Sequence, residues 1–232
     1  HSAGLLPNTR TYATVLDAWS WSTVQGHADR AALILNELED LFENTKDERY
    51  RPNTFAYTAV IHAYSRSNDL LKVQKAWAIL DRMKTLVESG KNKLAKPSIV
   101  TYNSILNTCA RSPFTENIQL KVKSIVDQTF HDPSLQPDEY TYGTILKVCA
   151  NVLCALPDTV DFSRRVFEHC ALNGYVSHGV CYELRQVSQQ LYSELLPLEA
   201  INPENGHFII DNLPTSWKRN TRKRKKRSNF ET

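Results

Sequence analysis

The chain has 232 residues of which 41% are hydrophobic, enough to bury a core, and it holds no run of 18 apolar residues that would offer a membrane span. Its formal net charge is +3, but eight of the 28 basic residues and one of the 25 acidic ones lie beyond position 217. Residues 1–217 therefore carry 20 basic against 24 acidic side chains, which speaks against an evenly basic nucleic-acid surface while leaving room for positive charge gathered on one face.

The first ordered signal is Pro7-Asn-Thr-Arg-Thr-Tyr12-Ala-Thr-Val-Leu16, and near copies of it open at Pro52, Pro97 and Pro137 around Tyr57, Tyr102 and Tyr142. The prolines stand 45, 45 and 40 residues apart. Self-similarity at a period of roughly 20 to 50 residues marks a solenoid of repeats. In each copy Pro ends what precedes it, and the Asn, Ser or Asp that follows can accept from the orphan amides of a first helical turn. Apolar residues then return at helical spacing, as in Tyr102, Ile105, Leu106 and Cys109. Seven residues after each tyrosine come Trp19, Tyr64, Cys109 and Cys149, and one later Ser20, Ser65, Ala110 and Ala150, a bulky residue beside a small one that predicts close helix contact.

The first unit, 7–51, pairs a predicted helix from Thr9 to Ser22 with one from Ala28 to Glu43, broken at Gly26, and Ala31, Leu35 and Leu38 form an inward stripe. The second, 52–96, repeats this from Thr54 to Ser67 and Leu70 to Glu88 with Ala76, Leu80 and Met83. The third, 97–136, runs from Ile99 to Arg111 and Asn117 to Phe130 with the poorer stripe Val122, Val126 and Thr129. The fourth, 137–178, runs from Glu139 to Val152 and Thr159 to Asn173, with Ser163, Phe167 and Cys170 inward and Gly174 as a carboxyl-terminal cap. A partial fifth unit, 179–195, carries one helix to Leu195, followed by an irregular cap over 196–216 and a basic tail over 217–232 that is expected to be disordered, since eight like charges in ten residues repel and bury nothing. The fold class this predicts is all-α: an alpha-alpha superhelix built as a solenoid of helix-turn-helix repeats.

A two-helix unit that opens Pro-Asp/Asn-x-x-Thr-Tyr-Asn-x-Ile-Leu, with Ala, Leu and Met along its second helix, resembles the pentatricopeptide repeat, and the resemblance covers 7–190. The family's unit is close to 35 residues, so these units are longer, the surplus falling after the second helix. The resemblance implies single-stranded RNA as the partner, one base per repeat read by two or three side chains. Carried over, the base-reading candidates are Ala13 with Asn53, Thr58 with Ser98, Asn103 with Asp138 and Gly143 with His178. Asn103 with Asp138 matches a uracil-type pair and Thr58 with Ser98 a looser, purine-leaning one. A third position holds Arg10, Phe55, Val100 and Tyr140, whose rings or guanidinium could stack on bases. Lys218, Arg219, Arg222, Lys223, Arg224, Lys225, Lys226 and Arg227 of the tail are candidates for phosphate contacts.

Cys109, Cys149, Cys170 and Cys181 fall where other units place Trp, Met or Thr and read as core fillers, with Cys154 in a loop, so no metal, cofactor or disulfide is expected. No phosphate loop, Gly-x-Ser-x-Gly or His-Glu-x-x-His occurs, nor the His-x-Glu with Cys-x-x-Cys signature of deaminases, and neither an enzymatic activity nor a small-molecule substrate is expected. The resemblance places the protein in a mitochondrion or plastid, acting in RNA processing, stability or translation. Because the chain begins with His1 and not Met, a targeting peptide and further repeats are expected upstream. The basic tail leaves the nucleus as the alternative address. The competing function is a protein-interaction scaffold on the same solenoid, favoured by the acidic body and by the information-poor pairs led by Ala13 and Gly143.

Overall fold

Each repeat begins where a side chain takes over from the backbone. In the computed structural model, which describes residues 6–221, Asn8 and Asn53 are extended caps whose side-chain oxygens accept from Thr11 N and Ala56 N, both at 3.1 Å. Asp138 accepts from Thr141 N at 3.0 Å, and Ser98 N donates to Thr101 Oγ1 at 3.1 Å. These contacts satisfy the orphan groups of a helix start, so the Pro-Asn/Ser/Asp punctuation translates directly into helix boundaries. The described residues form ten α-helices: α1 (Thr9–Trp21), α2 (His27–Thr45), α3 (Thr54–Arg66), α4 (Lys72–Glu88), α5 (Ile99–Ala110), α6 (Glu116–His131), α7 (Glu139–Asn151), α8 (Thr159–Leu172), α9 (His178–Val187) and α10 (Gln189–Leu195). They divide into two compact units, one over 6–136 with 151–153, the other over 137–150 and 154–221.

In the first unit the helix pairs stack as a solenoid. α3 packs on α1, α2, α4 and α5, and the stripes Ala31, Leu35, Leu38, then Ala76, Leu80, Met83, then Val122, Val126, Thr129 are all buried. Burial of the motif tyrosine follows from this stacking: Tyr57 and Tyr102 are inside, whereas Tyr12 on the outermost first helix is half-exposed. Tyr57 also carries a polar tie that its apolar burial requires. Tyr57 OH donates to Glu39 Oε1 at 2.8 Å, and Glu39 is held in turn by Arg82 at 2.6 Å; two turns on, Tyr64 OH donates to Asp29, which Lys75 clamps to α4 at 2.7 Å.

The surplus length has a structure of its own. After α2 and α4 the chain makes short 3₁₀ turns, Glu48–Tyr50 and Lys93–Ala95, and each is fastened to the start of the first helix of its own unit. Thr9 Oγ1 lies 2.9 Å from both Arg49 O and Arg51 O, and Thr54 Oγ1 lies 2.9 Å from Leu94 O and 2.6 Å from Lys96 O. One hydroxyl proton is thus shared between two carbonyls in each unit. The third unit is five residues shorter and has Ile99, with no hydroxyl, at the corresponding position.

In the second unit Tyr142 OH meets His169 Nδ1 at 2.9 Å, joining α7 to α8. The single helix expected to reach Leu195 is instead broken at Ser188 (φ −161°, ψ 122°), whose side chain accepts from Leu191 N at 3.2 Å and starts α10. Serine is a poor helix interior residue and a strong cap, and here the second role prevails. Beyond Pro197 come three 3₁₀ turns, Leu198–Ala200, Ile210–Asn212 and Thr215–Lys218, with an antiparallel bridge between Ile201 and Phe208. The expectation of a tail disordered from 217 is corrected as far as Thr221. Trp217 packs edge-on to Phe167 with centroids 5.7 Å apart, Val176 N donates to Trp217 O at 2.8 Å, and Asn220 N donates to Gly174 O at 2.9 Å. Gly174 has φ +76°, and a Cβ there would lie 2.5 Å from Arg219 Cγ, so glycine is needed both for the left-handed turn and for the returning chain.

Candidate nucleic-acid interface

Three positions recur at the starts of the first helices. Two residues before each motif tyrosine stand Arg10, Phe55, Val100 and Tyr140, and all four are exposed: Phe55 by 53%, Val100 by 58% and Tyr140 by 57%. Large apolar side chains left in solvent at the same place of successive repeats are a repeated surface feature rather than core residues that failed to pack. One residue after the tyrosine, Ala13, Thr58 and Asn103 are buried and Gly143 is half-buried. The capping residues Asn53, Ser98 and Asp138 are half-buried at the helix starts.

The structure brings the first set together. Arg10, Ala13, Asn53 and Phe55 line one cleft of about 410 Å³ between α1 and the start of α3, and Thr14 and Asp17 complete its wall. Residues 10, 13, 14 and 17 share one face of α1 because they are three, four and seven positions apart. Thr58 and Ser98 meet through a third residue: Thr58 Oγ1 is 2.8 Å and Ser98 Oγ 3.3 Å from Thr101 Oγ1. Asn103 holds a buried Oδ1 with no hydrogen-bond partner, a state that costs about 1–3 kcal/mol. Asp138 accepts from Thr141 Oγ1 as well as from its amide, each at 3.0 Å.

The fourth pair shifts by one residue. In the second unit the cap of α9 is Ser177, whose Oγ accepts from Val180 N at 3.4 Å, so Ser177 and not His178 stands where Asn53, Ser98 and Asp138 stand. His178 is exposed and lies against the Phe208 ring at 4.6 Å. Gly143 faces α9 closely, a Cβ on it lying 4.0 Å from the Gly179 carbonyl carbon.

The phosphate candidates divide as well. Lys218 Nζ donates to Ile210 O at 2.7 Å and to Asp211 O at 2.9 Å, and Arg219 donates to Leu172 O at 3.0 Å, so these two cations close the cap and are corrected from free phosphate ligands to structural ones. Arg222, Lys223, Arg224, Lys225, Lys226 and Arg227 lie outside the described residues. Two further cations were missed. Arg66 stacks over Trp21 at 4.8 Å with a buried, unpartnered Nε, and Arg111 donates to Ser65 O at 3.3 Å. The signal was present, since Trp21, Arg66 and Arg111 each stand nine residues after a motif tyrosine, one position beyond the bulky and small pair. Beside them His62, 3.2 Å from Ser20 Oγ and edge-on to Trp21, is held below its usual pKa by burial and then by Arg66, with Asp17 opposing.

Among the described residues no group of three His, Cys, Asp or Glu is placed to hold a metal ion, and no helix is long and apolar enough to cross a membrane. Cys109, Cys149, Cys170 and Cys181 are buried free thiols, and burial pushes Cys109, Cys149 and Cys181 up to about 12, where they carry no thiolate at neutral pH. The family model for the pentatricopeptide repeat domain matches residues 40–112, which span the end of α2 through α5. No curated protein matches the chain.

Proposed function

From the match of residues 40–112 to the family model for the pentatricopeptide repeat domain, we propose that the protein binds single-stranded RNA base by base along the starts of its first helices. Repeats of this family are generally RNA-binding and non-catalytic. The observation that carries the reading is the cleft at Arg10, Ala13, Asn53 and Phe55, where a base-reading pair and two stacking candidates identified independently in the sequence converge on one concave site. Exposed Phe55, Val100 and Tyr140 supply stacking faces. Arg66 and Arg111 add cations that would follow the phosphates, which fix position without reading sequence. The setting we propose is transcript processing, stability or translation in a mitochondrion or plastid.

The test is an anisotropy titration against short single-stranded RNAs that differ at one base. Changing Asn103 to Ala is expected to remove the preference at one position while nonspecific affinity persists. Unchanged base preferences in that variant would move the reading away from Asn103, and no RNA affinity in the intact chain would transfer the solenoid to the protein-scaffold reading.

A further inference from the structure

Resting on that RNA reading, we propose that the cleft between α1 and the start of α3 is a pocket for a single guanine, with Asp17 as its specificity-determining residue. Asp17 lies on the cleft wall one helical turn beyond Ala13, about 6 Å along the α1 axis. Its backbone carbonyl is taken by Ser20 Oγ at 2.7 Å, while no described residue donates a hydrogen bond to its carboxylate. Asn53 enters from the other side. Its Oδ1 is committed to Ala56 N at 3.1 Å, which fixes the amide orientation and leaves Nδ2–H as the group that can donate into the cleft.

The wall thus offers one amide donor and one acceptor-only carboxylate. Guanine presents O6, N1–H and N2–H side by side on its Watson–Crick edge, an acceptor followed by two donors. Asn53 Nδ2–H donates to O6 and Asp17 accepts from N1–H and N2–H. Adenine and cytosine each place a ring-nitrogen acceptor beside their single amino group, and uracil flanks its one N–H with two carbonyls, so each of them sets a lone pair against the carboxylate. Phe55 and the Arg10 guanidinium provide planar groups at the rim for stacking. The chemistry is peculiar to this repeat, because the positions matching Asp17 in later units are His62, Asn107 and Lys147. The prediction is therefore a guanine at one position of the bound RNA and not a general preference for guanine.

The experiment is one round of capture of a randomised pool of short single-stranded RNAs by the whole chain and by Asp17→Asn, followed by sequencing. The intact chain is expected to enrich guanine at one position, and Asp17→Asn to lower that enrichment about tenfold while leaving the other positions unchanged, since a bidentate base contact is worth roughly 1–3 kcal/mol of discrimination. Replacing the selected guanine by inosine, which lacks only the 2-amino group, should weaken binding to the intact chain and make no difference to Asp17→Asn. Asn53→Asp, which keeps the cap and sets a carboxylate against O6, is a second variant expected to lose the preference. Identical enrichment in all three proteins, or inosine bound as well as guanine by the intact chain, overturns the guanine pocket and leaves base reading standing. No enrichment at any position overturns both.

Discussion

The motif tyrosine shows how one residue type acquires different weights from its neighbours. Tyr102 is buried in the stack while Tyr12, on the outermost first helix, is half-exposed. Tyr102→Ala is expected to cost about 3–5 kcal/mol as a large-to-small core change. Tyr12→Ala should cost about 1 kcal/mol, the ordinary size for a partly exposed site. Urea denaturation of the two variants measures the contrast, and equal losses would contradict the packing account. The same burial makes stability fall in alkali. Tyr64, through burial and then the Asp29 carboxylate, and Tyr102, through burial, are pushed up to about 12 from an ordinary 10.0. A group whose folded pKa is raised contributes stability that is complete below its unfolded pKa and is lost as pH rises through the folded one. Denaturation midpoints are therefore expected to hold up to about pH 10 and decline toward pH 12, with Tyr64→Phe giving a shallower decline.

At the scale of elements, the 45-residue spacing and the threonine after the capping Asn belong together. Thr9 and Thr54 each bind two carbonyls of the 3₁₀ turn that ends their own unit, and the shorter third unit has neither the threonine nor the five extra residues. Thr54→Val removes the donor from Leu94 O and Lys96 O and is expected to cost about 1 kcal/mol, with Thr54→Ser recovering most of it. Ile99→Thr should bring no gain, because the chain after α6 is five residues shorter than its counterparts. A thermal-melt comparison of the three variants decides the point.

For the whole molecule, specificity and nonspecific attraction are assigned to different parts of the chain. Truncation after Thr221 keeps Lys218 and Arg219, which hold the cap to the end of α8, and removes six clustered cations. It is expected to weaken binding to all RNAs alike and to flatten the salt dependence, since each phosphate neutralised adds about 0.7 to the logarithmic slope for a single strand. Titration at two salt concentrations measures this. A truncation that instead changes base preference would place reading in the tail.

Much of this protein could be read from its sequence because repetition tests itself. Four copies of Pro, cap, Tyr and apolar spacing determined the helix pairs, their order and the buried stripes, since capping and helical periodicity are local and recur in register. The same copies named Arg10, Ala13, Asn53 and Phe55 as a set. Contacts between residues far apart in the chain were not legible in this way. Only the tertiary structure decided that Lys218 and Arg219 are spent on carbonyls of the cap and of α8. It alone set Asp17 in the cleft with Asn53. The physical reason is that a cap or a stripe is specified by residues three or four positions apart, whereas the partner of a charge or an amide is whatever the stacking of helices carries to it.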